Sequence, residues 1–268
     1  TAAAKAASSM FGGAPRAEPR VLGGRVKAKR ILGKAVNAAL ISIVAICVAA
    51  AIAIFASYAK QESAYEDLSA QAAQNAEEGI DWDSLLAQNP ETAAWLSVDG
   101  TPIDYPVMKP AGDKPSDWYL HHDFWGNPSS IGVPYLDSRC GADGRHMLVF
   151  GHHLGLSGQM FSPIYDAYEQ GRFDGIGAAH WSTPDGGTVD FEPAMAMSVD
   201  KSYEPIQTFE FDSVDALQSW LGGLSHDATA VSPELDALIG DASRALTLVT
   251  CSSAWSGQRA RTLLVFVA

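Results

Sequence analysis

The spacing of apolar and polar positions divides this chain into three regions. Residues 38–58 form an uncharged, almost entirely apolar stretch of 21 residues. Residues 60–81 are polar and rich in Ala, Glu and Gln, which predicts a helix with few apolar side chains. From Trp95 onward, short runs of β-branched and aromatic residues are separated by Gly, Pro and Asp, a pattern that predicts strands and turns.

The residues that follow the second region contain runs that predict eight strands and three helices. The predicted strands are 95–98, 103–107, 133–136, 147–150, 189–191, 194–199, 247–251 and 263–267. The predicted helices are 83–88, 161–169 and 213–224. We therefore expect a mostly β fold, a closed β-barrel of about eight strands with peripheral helices, preceded by a transmembrane helix and a helical stalk.

The apolar stretch is long enough to cross the ~30 Å hydrocarbon core of a bilayer as a helix. Eight basic residues and one acid occupy the first 34 positions, whereas the chain as a whole carries 18 basic and 31 acidic residues. Because positive flanks stay inside, we expect a cytoplasmic tail at 1–37, a signal anchor at 38–59, a stalk at 60–81 and an extracellular domain at 82–268. A cleaved signal peptide is the alternative, although its apolar region is ordinarily only about 7–15 residues long.

The basic N-terminal cluster also bears on possible partners. Basic clusters can bind nucleic acid, but these charges flank a membrane span and the folded region is acidic. We therefore expect a membrane partner and no DNA or RNA partner. Because the chain begins with Thr1, we also expect the native N-terminus to lie further upstream.

Three reactive side chains stand at the ends of predicted strands. Cys251 closes one apolar run, His152 follows another, and Arg261 precedes a third. A thiol attacks carbonyl groups as a thiolate and needs a neighbouring base. An imidazole can take and return the proton, and a guanidinium can stabilise an oxyanion while it keeps its charge. If these strand ends meet at one edge of a sheet, the three residues form a site for acyl transfer.

Each of these residues taken alone has an ordinary structural explanation, and only their joint occurrence favours chemistry. Arg259 and Arg261 share one strand face, so alternation does not choose between them, and Arg261 is preferred because it adjoins the apolar run. We expect Cys140 to be unpaired, although the sequence alone leaves open a bridge between Cys140 and Cys251.

The histidine pairs do not have the spacing of metal ligands. His121 and His122 are adjacent, as are His152 and His153, and adjacent strand residues point in opposite directions. We therefore expect neither a metal nor a cofactor. His153 is expected to be a solvent-side neighbour of His152.

Several segments resemble the class B sortases. The segment Thr247-Leu248-Val249-Thr250-Cys251 is similar to the family's Thr-Leu-x-Thr-Cys signature, and Phe150-Gly151-His152 is similar to its Tyr-Gly-His segment. Further similar segments are 95–107, 119–124, 132–137 and 158–161, so that the resemblance runs from about Trp82 to the C-terminus. Two positions differ from the family pattern, because Val249 stands where many members have Ser and Phe150 stands where Tyr is common.

The resemblance implies a membrane-anchored cysteine transpeptidase of Gram-positive bacteria with a sortase-type barrel. Such an enzyme cleaves a C-terminal sorting signal on surface proteins or pilins and holds the new C-terminus as a thioester. It then passes the protein to an amine, either a peptidoglycan cross-bridge or a pilin lysine. The implied catalytic residues are His152, Cys251 and Arg261. Leu120, Thr250 and Tyr203, the last in a loop at 203–208, are candidates for binding the sorting signal.

Two other functions remain open at the level of sequence. A membrane-anchored cysteine peptidase would use the same three residues and release its product to water. A surface adhesion module would need none of them. Wall anchoring and pilus assembly are likewise not separated by the sequence.

Overall fold

The computed structural model describes residues 23–73, 79–155, 157–252 and 259–268. The chain forms two compact units, Thr1–Ser57 and Tyr58–Ala268. Helix α1 spans Gly23–Ala73 and contains a stretch that is long and apolar enough, by length and composition, to cross a membrane. Residues 1–22 of the predicted tail lie outside the described residues.

The second unit contains nine strands and four further helices among its described residues. The strands are β1 (Thr92–Val98), β2 (Asp104–Met108), β3 (Tyr135–Leu136), β4 (His146–Phe150), β5 (Ala179–Thr183), β6 (Gly187–Asp200), β7 (Ala230–Val231), β8 (Ala245–Cys251) and β9 (Ala260–Val267). The helices are α2 (Trp82–Gln88), α3 (Gln170–Phe173), α4 (Val214–Ser225) and α5 (Leu235–Asp241).

Eight of these strands close into a barrel. The strand order is β5-β1-β2-β3-β4-β8-β9-β6, and an additional pairing of β5 with β6 completes the ring. Strand β7 pairs with β6 beside the ring. Leu248 and Leu264, which form a cross-strand pair, are fully buried in the hydrophobic core. The prediction of a closed barrel of about eight strands with peripheral helices is therefore confirmed.

Individual strands differ from the predicted ones where polar residues or proline break the pattern. The predicted strands 189–191 and 194–199 are parts of the single strand β6, in which the register shifts between Pro193 and Met195. Proline lacks the N–H that a continuous ladder requires, so a bulge at this position is expected. Strand β5 was not predicted from the sequence because it contains polar residues such as His180 and Ser182.

The predicted helix 161–169 is wrong. The structure has a 3₁₀ turn at Ser162–Ile164, followed by further turns and the short helix α3. The hydroxyl of Thr262 on β9 donates a hydrogen bond to the carbonyl of Tyr165, so this carbonyl is turned towards the barrel. Tertiary hydrogen bonding thus overrides a weak helical periodicity.

The C-terminal part of α1, from Tyr58 onward, belongs to the barrel unit. Tyr65, Leu68 and Ala72 are 3%, 2% and 1% exposed and lie in the hydrophobic core. The predicted stalk at 60–81 is therefore helical as far as Ala73 and packs against the barrel unit; its residues 74–78 lie outside the described residues.

Candidate active site

The adjacent strands β4, β8 and β9 bring the three predicted catalytic residues to one edge of the sheet. Strands β4 and β8 are parallel, with Phe150 opposite Val249, so both strands end at this edge. The N–H of Gly151 donates to the carbonyl of Val249 at 3.0 Å, which extends the pairing one residue beyond β4. His152 therefore lies just beyond the last hydrogen bond between β4 and β8, beside the end of β8.

Cys251 and Arg261 are directly opposite each other in the antiparallel pairing of β8 with β9. Residues in such a position have side chains on the same face, with Cβ atoms about 4.5–5.5 Å apart. Both side chains are half-buried. Arg261 also donates from Nη1 to the carbonyl of Ala260 at 3.0 Å, which helps to hold its guanidinium near the strand.

His152 is oriented by a backbone carbonyl on another segment. Its Nε2 lies 2.8 Å from the carbonyl oxygen of Leu120. A carbonyl only accepts hydrogen bonds, so Nε2 carries the proton and Nδ1 of the neutral ring is the basic nitrogen. Burial lowers the pKa of His152, the contact with Leu120 opposes this, and the nearby His121 lowers the pKa further. The neutral ring, which can accept a proton, is thereby favoured near neutral pH.

His153 has a structural role that the sequence did not indicate. Its Nδ1–H donates to the carbonyl oxygen of Cys251 at 3.1 Å, and its ring stacks on Tyr165 with ring centroids 4.2 Å apart. The expectation of a solvent-side neighbour was incomplete, because His153 holds the backbone of the cysteine in place. The sequence signal that could have pointed to His153 is its position just after the buried strand β4, and His152 has the same signal.

Arg259 and Arg261 occupy different environments despite their shared parity. Both Nε and Nη2 of Arg259 donate to Asp200 at 2.7 Å, and the Arg259 side chain is 60% exposed. Strand β9 begins at Ala260, so Arg259 lies just outside the ladder. This geometry supports the preference for Arg261 over Arg259.

A pocket of about 100 Å³ opens beside Arg261 on the outer face of the sheet. Its floor is apolar and comes from the strands, and its lining residues are Arg139, Leu148, Phe150, Val199, Asp200, Lys201, Tyr203, Ile206, Gln207, Val249, Arg261 and Leu263. The predicted loop at 203–208 thus supplies one wall, and Tyr203 borders the pocket.

His146, which sequence reasoning missed, anchors that wall. Its Nδ1–H donates to the carbonyl of Thr208 at 2.7 Å, and its Nε2 accepts from the Thr247 hydroxyl at 2.9 Å. Burial lowers the pKa of His146 to about 4, so the ring is neutral at ordinary pH. The only sequence signal for it is a polar residue at the start of an apolar run.

Leu120 and Thr250, the other two predicted binding residues, are not among the residues that line this pocket. Leu120 contacts His152 through its carbonyl and is partly buried. Thr250 is 2% exposed and, as the neighbour of Cys251 on a strand, points to the opposite face of the sheet. A contact between substrate and the Thr250 side chain therefore has no support in this geometry.

Cys140 and Cys251 are both free thiols, so the bridge that the sequence left open is not formed. Cys140 is 5% exposed, and its sulfur is hydrogen bonded to the backbone of Asp137 and Leu148. Burial raises the pKa of the Cys140 thiol. Of these two thiols, Cys251 is thus the reactive candidate.

Comparisons with known proteins point to one family. The structure is similar to Clostridium perfringens sortase B, with 26% identity, a TM-score of 0.59 and coverage of 69% of this chain and 97% of that one. It is also similar to a Staphylococcus aureus sortase B–substrate complex, with 21% identity, a TM-score of 0.66 and coverage of 78% and 95%.

The sequence comparisons cover less of the chain. A stretch of 82 residues, which is 30% of this chain, is 28% identical to sortase B of Listeria monocytogenes. This stretch spans only about a third (32%) of that relative's length. No family model matches the chain. The chain therefore has the fold of the class B sortases and sequence similarity to that family, as the motifs at its strand ends indicate.

Proposed function

We propose that this protein is a membrane-anchored cysteine transpeptidase that cleaves a C-terminal sorting signal and transfers the protein to an amine acceptor. The observation that carries the proposal is the cross-strand pair of Cys251 and Arg261, with His152 at the end of the neighbouring parallel strand. These residue types in one place are those that thioester chemistry requires.

The first half-reaction forms a thioester. His152 takes the proton of the Cys251 thiol on Nδ1, and the thiolate attacks the scissile carbonyl. The tetrahedral intermediate carries an oxyanion, to which the guanidinium of Arg261 donates. His152 then gives its proton to the leaving amine as the carbon–nitrogen bond breaks, and the acyl group remains on sulfur.

The second half-reaction uses the same groups in reverse order. A primary amine attacks the thioester, His152 accepts the proton that the amine loses, and Arg261 again stabilises the oxyanion. The carbon–sulfur bond breaks, and His152 returns the proton to the Cys251 sulfur. An amide replaces the original amide, so the reaction needs no oxidant, nucleotide or metal.

The substrates follow from this chemistry and from the related proteins. One similar structure is of a sortase B–substrate complex, and another is of sortase B complexed with triglycine. For this chain we propose a sorting-signal peptide in the pocket beside Arg261 and a cell-wall peptide or a pilin lysine as the acceptor. The apolar floor of the pocket and its wall at Tyr203 support binding of an extended peptide there.

The proposed location is the outer face of the cell membrane. The long apolar helix supports membrane anchoring, and the basic N-terminal residues support an inside N-terminus. External protease on intact cells is expected to remove the acidic barrel unit. Survival of that unit until the cells are lysed would reverse the proposed orientation.

The test of the activity is to trap the thioester. The full chain in detergent is incubated with a library of sorting-signal peptides and examined by mass spectrometry, with Cys251→Ala as the control. We expect a mass adduct on Cys251 that hydroxylamine removes, and a transfer product that grows with added amine. Hydrolysis alone at every amine concentration would identify a peptidase, and no adduct with any peptide would contradict both activities.

A further inference from the structure

The carbonyl of Leu120 that orients His152 lies in a long segment without regular strands, between β2 and β3. This segment, residues 109–134, folds back on itself through backbone hydrogen bonds. The N–H of Val133 donates to the carbonyl of Tyr119 at 3.0 Å, and the N–H of Ser129 donates to the carbonyl of His121 at 2.9 Å. Leu120 therefore lies between two residues that are each hydrogen bonded to residues 129–133, which run back past it towards β3 and are called the returning leg below.

Gly132 on the returning leg approaches the Leu120 carbonyl closely. A Cβ atom placed on Gly132 would lie 2.6 Å from the carbonyl oxygen of Tyr119 and 2.8 Å from that of Leu120. Gly132 also has a φ of +61°, a conformation that residues with side chains rarely adopt. The position of the Gly132 peptide and that of the Leu120 carbonyl are thus tightly linked.

The hydroxyl of Tyr65 joins helix α1 to this segment. The Tyr65 hydroxyl donates to the carbonyl of Gly132 at 3.2 Å and accepts from the N–H of Phe124 at 3.1 Å. The Tyr65 ring also packs edge-on against Tyr105, with ring centroids 5.6 Å apart. Burial raises the pKa of Tyr65, so its hydroxyl keeps the proton that it donates.

A second contact joins the same helix to the same segment. The hydroxyl of Ser129 donates to Oε1 of Gln61 at 2.7 Å, one turn before Tyr65 on the helix. Ser129 Oγ in turn accepts from the N–H groups of Ile131 and Gly132, each at 3.2 Å. The helix therefore holds the returning leg at two neighbouring points.

From these contacts we propose that Tyr65 is a positioning residue for catalysis, which acts through Gly132 and the Leu120 carbonyl to set the tautomer and orientation of His152. The expected effect on turnover rests on the proposed function, whereas the expected effect on the His152 tautomer does not. The physical reason is that the Leu120 carbonyl fixes the proton on Nε2, and a displaced carbonyl leaves the ring free to carry the proton on either nitrogen. Nδ1 would then be the base in only part of the molecules.

The test compares Tyr65→Phe with Leu68→Ala in the full chain purified in detergent. Leu68 lies on the same helix and is equally buried, so Leu68→Ala weakens the packing of the helix without removing a hydrogen bond to the segment. We expect both variants to melt at lower temperature. Tyr65→Phe should also lower kcat/KM for thioester formation by roughly tenfold, less than the ~10²-fold that a 1 Å misplacement can cost, whereas Leu68→Ala should retain it.

Two readouts separate positioning from simple destabilisation. ¹⁵N NMR of histidine-labelled protein should show the Nε2–H tautomer of His152 in the wild type and in Leu68→Ala, and a mixture of tautomers in Tyr65→Phe. Because the Leu120 contact raises the pKa of His152 against the lowering by burial and His121, its loss should move the acidic limb of kcat/KM to lower pH.

The outcomes are distinguishable from failure of the proposed function. If wild-type protein forms no thioester with any peptide, the NMR comparison still decides whether Tyr65 controls the tautomer. If Tyr65→Phe keeps the wild-type tautomer, kcat/KM and pH profile while it melts as early as Leu68→Ala, Tyr65 only stabilises the fold and the proposal is overturned.

Discussion

Two regions of the barrel unit hold the candidate catalytic groups in different ways. The strand edge formed by β4, β8 and β9 places Cys251 and Arg261 through a continuous backbone ladder. The segment 109–134 places the partner of His152 through a fold-back loop, a glycine with positive φ and a tyrosine hydroxyl from α1. The proposed nucleophile and oxyanion donor are thus held mainly by the sheet, whereas the orientation of the proposed base depends on individual contacts outside the sheet. Substitutions in the two regions should therefore differ in their effects on turnover, stability and pH dependence.

The largest effect is expected at the strand edge, at Arg261. Loss of one oxyanion donor costs about 2.7–4 kcal/mol, or about 10²–10³ in turnover. We expect Arg261→Ala to show this loss and Arg261→Lys to recover only part of it, because a single ammonium lacks the fork of the guanidinium.

The matched control for Arg261 is Arg259→Ala, two residues away. Arg259 is exposed and paired with Asp200, so its loss should change turnover by less than tenfold. Thioester formation measured by quenched mass spectrometry checks both variants. A crippled Arg259→Ala with a nearly normal Arg261→Lys would move the oxyanion role by two residues.

The next effect is expected in the loop region, at Gly132. Gly132→Ala puts a methyl group against the carbonyls of Tyr119 and Leu120 and forces a side chain into a positive φ, which costs about 1–3 kcal/mol for the backbone alone. Thermal unfolding should show the loss of stability, and kcat/KM should fall as the Leu120 carbonyl moves.

Gly126 provides the comparison for Gly132 within the same segment. It has a φ of +80° and no atom within 4 Å of an added Cβ, so Gly126→Ala introduces the backbone strain without the clash. Equal losses of activity in both variants would show that strain, and not the close approach to Leu120, is responsible.

A smaller effect is expected in the pH dependence. Burial and His121 lower the pKa of His152, and the proposed reaction needs the neutral ring. Activity should therefore be lost as the pH falls through a value below the ordinary ~6.5 of histidine. His121→Gln should move this acidic limb of kcat/KM to higher pH, because a group that lowers the pKa of His152 is removed.

His122→Gln is the control for the pH profile. The ring of His122 stacks on Trp118 with centroids 3.6 Å apart, and it is not among the groups that shift the pKa of His152. Its profile should match the wild type. An unchanged limb in His121→Gln would remove His121 from the account of the His152 pKa.

The smallest effect is expected at Cys140. Because its thiol is buried with a raised pKa, a thiol reagent should label Cys251 first. Cys140→Ala should retain turnover and lose only about 1 kcal/mol of stability, measured by denaturant unfolding. A loss of turnover in Cys140→Ala would mean that the nucleophile has been assigned to the wrong residue.

The sequence by itself determined the apolar span, the mostly β barrel and the three reactive residues at strand ends. These features depend on local patterns: an apolar stretch of 21 residues, β-branched runs and a motif within each strand end. The sequence also ranked Arg261 above Arg259, although only the ladder start at Ala260 and the pairing of Arg259 with Asp200 give that ranking a physical basis.

Only the tertiary structure decided which backbone groups meet. The failed helix at 161–169 and the merged strand β6 depend on partners far away in sequence, such as Thr262 for Tyr165. The same holds for Leu120 with His152, Tyr65 with Gly132 and His146 with Thr208, which are separated by 32, 67 and 62 positions. Hydrogen bonds to backbone carbonyls leave almost no trace in residue type, because every residue carries a carbonyl. The sequence could therefore point to the candidate catalytic side chains but not to the contacts that orient them.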